Sequence, residues 1–192
     1  MRKSVESRNT FETQIQVELN LDGSRQVQAD TGIGFFDHML TAMAFHGGFD
    51  LTVQAAGDLA VDGHHTVEDV GIVLGKALAS ALGDKVGIRR YGSAGVPMDE
   101  ALAQCNLDIS GRSYLVWNVP LAAPMVGAFD TQLAKEFFQA LAANAGITLH
   151  INLAYGQNDH HKLEAVSKAV GQSLRQAVEI VGQELPSTKG AL

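Results

Sequence analysis

The sequence predicts an α+β fold built from two repeated β-α halves, and two observations predict it. The nineteen-residue segment HHTVEDVGIVLGKALASAL, starting at His64, returns from His160 as HHKLEAVSKAVGQSLRQAV, identical at seven positions. A second segment, DHMLTAMAFHGGFDLTV from Asp37, has its counterpart in KEFFQALAANAGITLHI from Lys135. In the long pair, Val67, Val70, Leu74 and Leu78 are matched by Leu163, Val166, Val170 and Leu174. Spacings of three and four mark the apolar face of a helix in each copy. In the shorter pair, Gly48 meets Gly146 as a helix stop, and Leu51 and Val53 meet Leu149 and Ile151 in the strand that follows. Each half therefore reads as helix, glycine stop, strand, loop and long helix. The halves are expected at approximately 1–95 and 96–192 of one domain spanning 1–192.

The remaining elements follow in order. SVESRNTFETQIQVELNL alternates through Ile15, Val17 and Leu19 into Asp22-Gly23, which signals a hairpin. EALAQCNLDISGRSYLVWNV supplies two more strands around a turn near Gly111. Asp62 and Asp159 precede the long helices as N-caps. The tail after Val181 has no period and reads as a loop or ordered extension. Mostly antiparallel sheets packed with helices satisfy this pattern.

Composition excludes several functions. The chain has 192 residues, 46% of them hydrophobic, enough for one substantial core. A formal net charge of −7 makes duplex nucleic acid an unexpected partner. The single cysteine, Cys105, rules out an intramolecular disulfide and a cysteine zinc site, and its alternating surroundings place it in the core. The N-terminal MRKSVESRNT lacks the apolar stretch of a signal peptide, and no apolar run approaches the roughly 20 residues of a membrane span. A cytoplasmic protein with no membrane partner is expected, or an organellar one whose transit peptide has been removed.

The repeated HHxxE units carry the chemistry. His64 and Glu68, like His160 and Glu164, are four residues apart on one helix face, and His65 and His161 stand three before the same glutamates. Imidazole plus carboxylate suits manganese, iron, cobalt or zinc. A single HHxxE also describes a capped, exposed helix start. Two copies that keep both histidines and the glutamate while other exposed positions drift point to metal. The shorter repeat sets Glu136 opposite His38. Both are candidate ligands, with a solvated helix carboxylate the alternative for Glu136. His46 reads as a site residue or a helix cap, and His150, within ITLHINL, as a satisfied core histidine.

An asymmetric substrate should be met where the halves differ. Lys168 matches Ile72 and lies one turn beyond Glu164. A helix pair with Glu164 would be worth only about 0.3–0.5 kcal/mol. Arg90, Arg112 and Lys189 sit in or beside the glycine turns RRYG, SGR and STKG, with the Ser187 hydroxyl nearby. These four cations, Lys168 included, with the hydroxyl and backbone amides can hold a phosphate at roughly 1.5–3 kcal/mol per charged hydrogen bond.

Taken with RNTFET, GIGFFDHML, DGHHTVED, PMDEAL, DISGR, GITLHI, NDHHKLEAVSKA and PSTKG, these residues make the chain resemble imidazoleglycerol-phosphate dehydratase over essentially its whole length. The resemblance is to the monofunctional form. It implies a duplicated β-α fold assembling into a hollow particle of 24 subunits with active sites between subunits. It implies two manganese ions per active site, held by His38, His64, His65, Glu68, His160, His161 and Glu164. The remaining ligand position is a histidine in plant and mycobacterial members and Glu136 here. Glu12, His38, His46, His64, His65, Glu68, Arg90, Arg112, Lys168, Ser187, Thr188 and Lys189 fall at substrate-contacting positions. Ala42 replaces a glutamine that lies near the phosphate in some members, so that contact is absent.

The expected reaction converts imidazole-glycerol phosphate to imidazole-acetol phosphate. The proton to be lost is not beside a carbonyl, so the ring itself must supply the electrons. An imidazolate between two metal ions would expel the neighbouring hydroxyl, and proton loss from the resulting diazafulvene-like species would give an enol and then the ketone. Glu12 or Glu164 can move the protons. Glu12 is favoured because a metal ligand is compromised as a base. A dinuclear metallohydrolase and a metal-stapled shell protein are the competing readings.

Overall fold

The computed structural model describes residues 2–192. Strands β1 (Lys3–Asn9) and β2 (Thr13–Asn20) form an antiparallel hairpin. Alternation in β2 buries Ile15, Val17 and Leu19 and turns Gln14, Gln16 and Glu18 to solvent. That pattern gives the sheet one covered face. β4 (Asp50–Gly57) pairs antiparallel with β2, and β3 (Val27–Asp30) pairs parallel with β4, so the order is β1-β2-β4-β3. The second sheet repeats this position by position. It runs β5 (Tyr91–Met98), β6 (Ala101–Asp108), β10 (Thr148–Tyr155) and β7 (Tyr114–Asn118), again with only the last pair parallel.

Four helices cover the inner faces: α1 (Gly34–Gly47), α2 (His64–Leu82), α3 (Leu133–Ala145) and α4 (Asp159–Ala177). α2 lies on β1 and β2, and α4 lies on β5 and β6. The helices then pair across the repeat, α1 against α4 and α2 against α3, so apolar residues of both halves join one cluster. The glycine kept in both long repeats makes those crossings possible. A Cβ on Gly75 would lie 2.8 Å from the Leu141 carbonyl oxygen, and one on Gly171 would collide with the Met43 carbonyl oxygen. The predicted glycine stops are also present: Gly48 and Gly146 adopt φ of 78° and 65°, the left-handed region that ends a helix without a Cβ penalty.

Several expectations need correction. The hairpin turn lies at 10–12, not at Asp22-Gly23, and β3 pairs with β4 because the chain crosses over instead of folding back. β6 and β7 flank β10 and do not pair with each other around Gly111. Each sheet contains one parallel pair. Asp159 is not the cap of α4: Asn158 accepts from the His160 and His161 amides, while Asp159 is buried and accepts from Ala122 and Ala123 N–H and from Lys162. Asp62 does accept the His64 amide at 2.7 Å, from one position before the cap residue Gly63.

A small hairpin, β8 (Met125–Val126) and β9 (Phe129–Asp130), lies between β7 and α3. In the first half, residues 31–33 alone join the equivalent elements. The tail beyond Val181 has no regular structure, but Val181 N–H donates to Gly87 and Gly87 N–H to Glu184. Cys105 is fully buried, and burial pushes its thiol up to about 12. No helix among the described residues is long and apolar enough to cross a membrane.

Candidate metal centre and anion-binding residues

Because α1 packs on α4, the sequence-distant His38 reaches the second HHxxE unit. His38 Nε2 lies 3.1 Å from Glu164 Oε2, and His160 Nε2 lies 3.3 Å from the same oxygen. These three ligand atoms all fall within 4.8 Å of one another, a spacing that can hold a metal ion. Phe35 walls the site, its ring centroid 4.8 Å from that of His160 and 5.9 Å from that of His38. Lys168 Nζ stands 2.6 Å from the other Glu164 oxygen. Burial raises the Glu164 pKa, but the Lys168 ammonium and the His38 ring outweigh it and hold the carboxyl at about 2. The donor set is thus two imidazoles and an ionised carboxylate, which fits a borderline divalent cation.

The pseudo-equivalent set is looser. His64 Nε2 and Glu68 Oε2 are 3.7 Å apart at the start of α2. Glu136 is half-buried on α3, the helix packed against α2, and among the described residues it makes no hydrogen bond or ion pair. The structure therefore brings His38, His160 and Glu164 together, pairs His64 with Glu68, and leaves Glu136 outside both groups.

The second histidine of each unit meets carboxylates of which only Glu12 belongs to the expected set. His65 Nδ1 lies 3.0 Å from Asp58 Oδ2, with Glu12 at 3.8 Å. His161 Nδ1 lies 2.7 Å from Glu100 Oε2, and its Nε2 lies 3.7 Å from Asp99. Hydrogen bonds to those carboxylates raise both imidazole pKa values, by Asp58 for His65 and by Glu100 for His161. Glu100 is itself held at about 2, first by the Asn158 amide and then by His161 and the Gln157 amide. Glu12 and Glu100 each stand immediately before the second strand of their hairpin, a correspondence the helix-based repeat did not reach.

The four grouped cations do not gather in one place: Lys168 stands at the His38–His160–Glu164 cluster, while Arg90, Arg112 and the tail carrying Lys189 lie elsewhere. Arg90, at φ 73°, donates from Nε to Asp108 at 2.7 Å and from Nη1 to the Pro186 carbonyl at 2.7 Å. Arg112 Nη2 lies 3.9 Å from Asp108, so the tail carrying Ser187, Thr188 and Lys189 is drawn beside both arginines. Ser187 Oγ donates to the Ala191 carbonyl and accepts the Lys189 amide. His46 is half-buried and does not cap α1, whose end is closed by Gly48 N–H. Burial, then Lys168 and Arg25, lower its pKa and favour the neutral ring. His150 is exposed on the outer sheet face and is not a core histidine, because strand alternation gives the inner face to Leu149 and Ile151.

A sequence model of the imidazoleglycerol-phosphate dehydratase family matches residues 31–174. Proteins of that name from Methanosarcina mazei and Clostridioides difficile are 58% and 56% identical, over 100% and 96% of both chains respectively. The crystal structure of the Staphylococcus aureus enzyme superposes with a TM-score of 0.84 at 40% identity, covering 93% of this chain and 100% of that one. The Pyrococcus furiosus structure gives 0.82 at 39%, covering 97% and 99%.

The chain belongs to the imidazoleglycerol-phosphate dehydratase family.

It is accordingly a hydro-lyase of histidine biosynthesis acting on a phosphorylated imidazole substrate. The layout of this dehydratase chain poses a geometric problem. Arg90 precedes β5 and Met98 ends it, while Lys168 Nζ lies 3.5 Å from Met98 Sδ. Eight residues of strand therefore separate the arginines from the metal cluster, roughly 25 Å at about 3.3 Å per residue. A small phosphorylated imidazole cannot bridge that span within one chain.

Proposed function

We propose that the dehydratase works through two manganese ions per active site, one at His38, His160 and Glu164 and one at His64 and Glu68. His65, His161 and Glu136, which no hydrogen bond or ion pair among the described residues joins to either group within one chain, complete the sets. The observation that carries this is the convergence of two imidazoles and an ionised carboxylate from α1 and α4, beside a lysine the other half lacks. When bound, such ions would withdraw charge from the ring nitrogens of the substrate and favour its azolate form.

The chain's own residues do the rest. Lys168 holds Glu164 ionised and adds positive charge beside the cluster. Neutral His46 offers a hydrogen bond without adding repulsion to that lysine. Glu12, exposed beside His65, is the group placed to carry the proton during loss of water to give the ketone product. Arg90, Arg112, Ser187, Thr188 and Lys189 hold the phosphate. Because these lie at the far end of β5, they serve a site whose metal ligands belong to another copy, in keeping with a closed homo-oligomer of 24 subunits.

Incubation with imidazole-glycerol phosphate, following ketone and inorganic phosphate together, tests this reading. Ketone formed without phosphate release, abolished by chelation and restored by manganese, is expected. Phosphate release without ketone would overturn it in favour of a metallohydrolase.

A further inference from the structure

The two halves hold their second histidines differently. In the second half, Glu100 spans two tasks: Oε1 accepts the Gln157 and Asn158 amides at 3.0 and 2.8 Å, and Oε2 faces His161 Nδ1 at 2.7 Å. The loop leading into α4 and the ring of His161 are thus tied to the β5–β6 turn. In the first half, Glu12 occupies the equivalent place before β2, yet Asp58 takes His65 Nδ1 at 3.0 Å and Glu12 stands back at 3.8 Å with its side chain 56% exposed. Asp58 is itself anchored there, its amide donating to the Glu12 carbonyl. A carboxylate oxygen accepts only, so the ring atom facing it must carry a proton, and in the neutral ring Nε2 then keeps a free lone pair.

We propose that Glu100 and Asp58 are positioning residues that hold His161 and His65 in the Nδ1–H form with Nε2 free to coordinate, and that Asp58 does for His65 what Glu100 does for His161, releasing Glu12 for proton transfer. The same position before the second strand is thus a fixed orienting group in one half and a free acid–base in the other. This rests on the metal-centre reading above, since Nε2 is the coordinating atom only if metal is bound there. Carboxylates behind ligating imidazoles raise ligand basicity and fix ring orientation in metal sites generally.

Glu100→Gln tests the first part without loosening the loop. The amide oxygen still accepts from Gln157 and Asn158, while the amide nitrogen donates to His161 and forces the Nε2–H tautomer. Long-range proton–nitrogen spectra of metal-free protein in alkaline buffer should show wild-type His161 and His65 as Nδ1–H and His161 switched in the variant. Manganese affinity, read by electron paramagnetic resonance, should weaken on the order of 10- to 100-fold. An unchanged tautomer or an unchanged manganese affinity overturns the proposal. For Asp58→Ala, Glu12 should close on His65, so the Nδ1–H form survives in the single variant and is lost only in Asp58→Ala/Glu12→Gln; its loss in the single variant contradicts the division of roles. Wild-type protein that takes up no manganese would end the metal reading, and the tautomer spectra would then decide the positioning claim by themselves.

Discussion

Glu12 illustrates how a residue's chemistry follows from what its neighbour has already claimed. With His65 held by Asp58 at 3.0 Å, the Glu12 carboxylate stands back at 3.8 Å and remains open to solvent. Glu12→Gln should lower turnover by about 10²–10⁴-fold, the usual worth of general acid–base help, while manganese content stays at the wild-type level. Single-turnover kinetics alongside metal analysis checks this, and loss of metal in the variant would assign Glu12 a structural role instead. At this scale the HHxxE histidines and glutamates were legible in the sequence because duplication filtered them from chance. Asp58, Asp99 and Glu100 were not, since they lie in turns outside the aligned helical repeats, and the Glu12–Glu100 correspondence emerges only once the strands are paired. His150 was misread for a simpler reason: an apolar strand segment does not say which of its two faces is covered.

At the element scale, the helix crossings and the loop entering β3 set the limits of tolerance. Gly171→Ala places a methyl group against the Met43 carbonyl of α1, where backbone must move. The gain in helix propensity is about 1 kcal/mol and the strain of overpacking roughly 1–3 kcal/mol. Urea unfolding should therefore show a lower midpoint for Gly171→Ala. A raised midpoint would mean that α1 and α4 separate at no cost.

Asp50 supplies a pH test. Its carboxylate accepts from the Gln26 amide, the Asn20 side chain and the Ser24 amide, which hold its pKa at about 2 against an ordinary 3.8. A depressed carboxylate stabilises the folded state above its unfolded pKa, and that contribution is lost as pH falls from near 3.8 toward about 2. The wild-type urea midpoint should fall across this window, and Asp50→Asn should flatten the fall. Identical slopes would show that other carboxylates govern the acid limb. The helices, their glycine stops and the paired halves were legible from periodicity. Strand partners were not, because parallel β3–β4 and β7–β10 pairing depends on crossovers rather than on local turns.

The Arg90–Arg112 cluster and the His38–His160–Glu164 group lie at opposite ends of β5, so under the proposed function the active site is completed only on assembly. Complementation follows. Chains with His160→Ala and chains with Lys189→Ala should each be inactive, yet co-assembly from a denatured mixture should restore a fraction of activity, since some sites then receive an intact histidine from one copy and an intact lysine from another. A mixture as inactive as its parents would place both residues in one chain's site. This separation was invisible in the sequence, where Lys168 and Lys189 look close.

The most direct test of the twin-helix metal centre is manganese stoichiometry in chelator-stripped, remetallated protein. Two ions per chain are predicted for the wild type, one for Glu164→Ala or Glu68→Ala, and none for the double variant. Manganese content unaffected by either substitution would contradict the account.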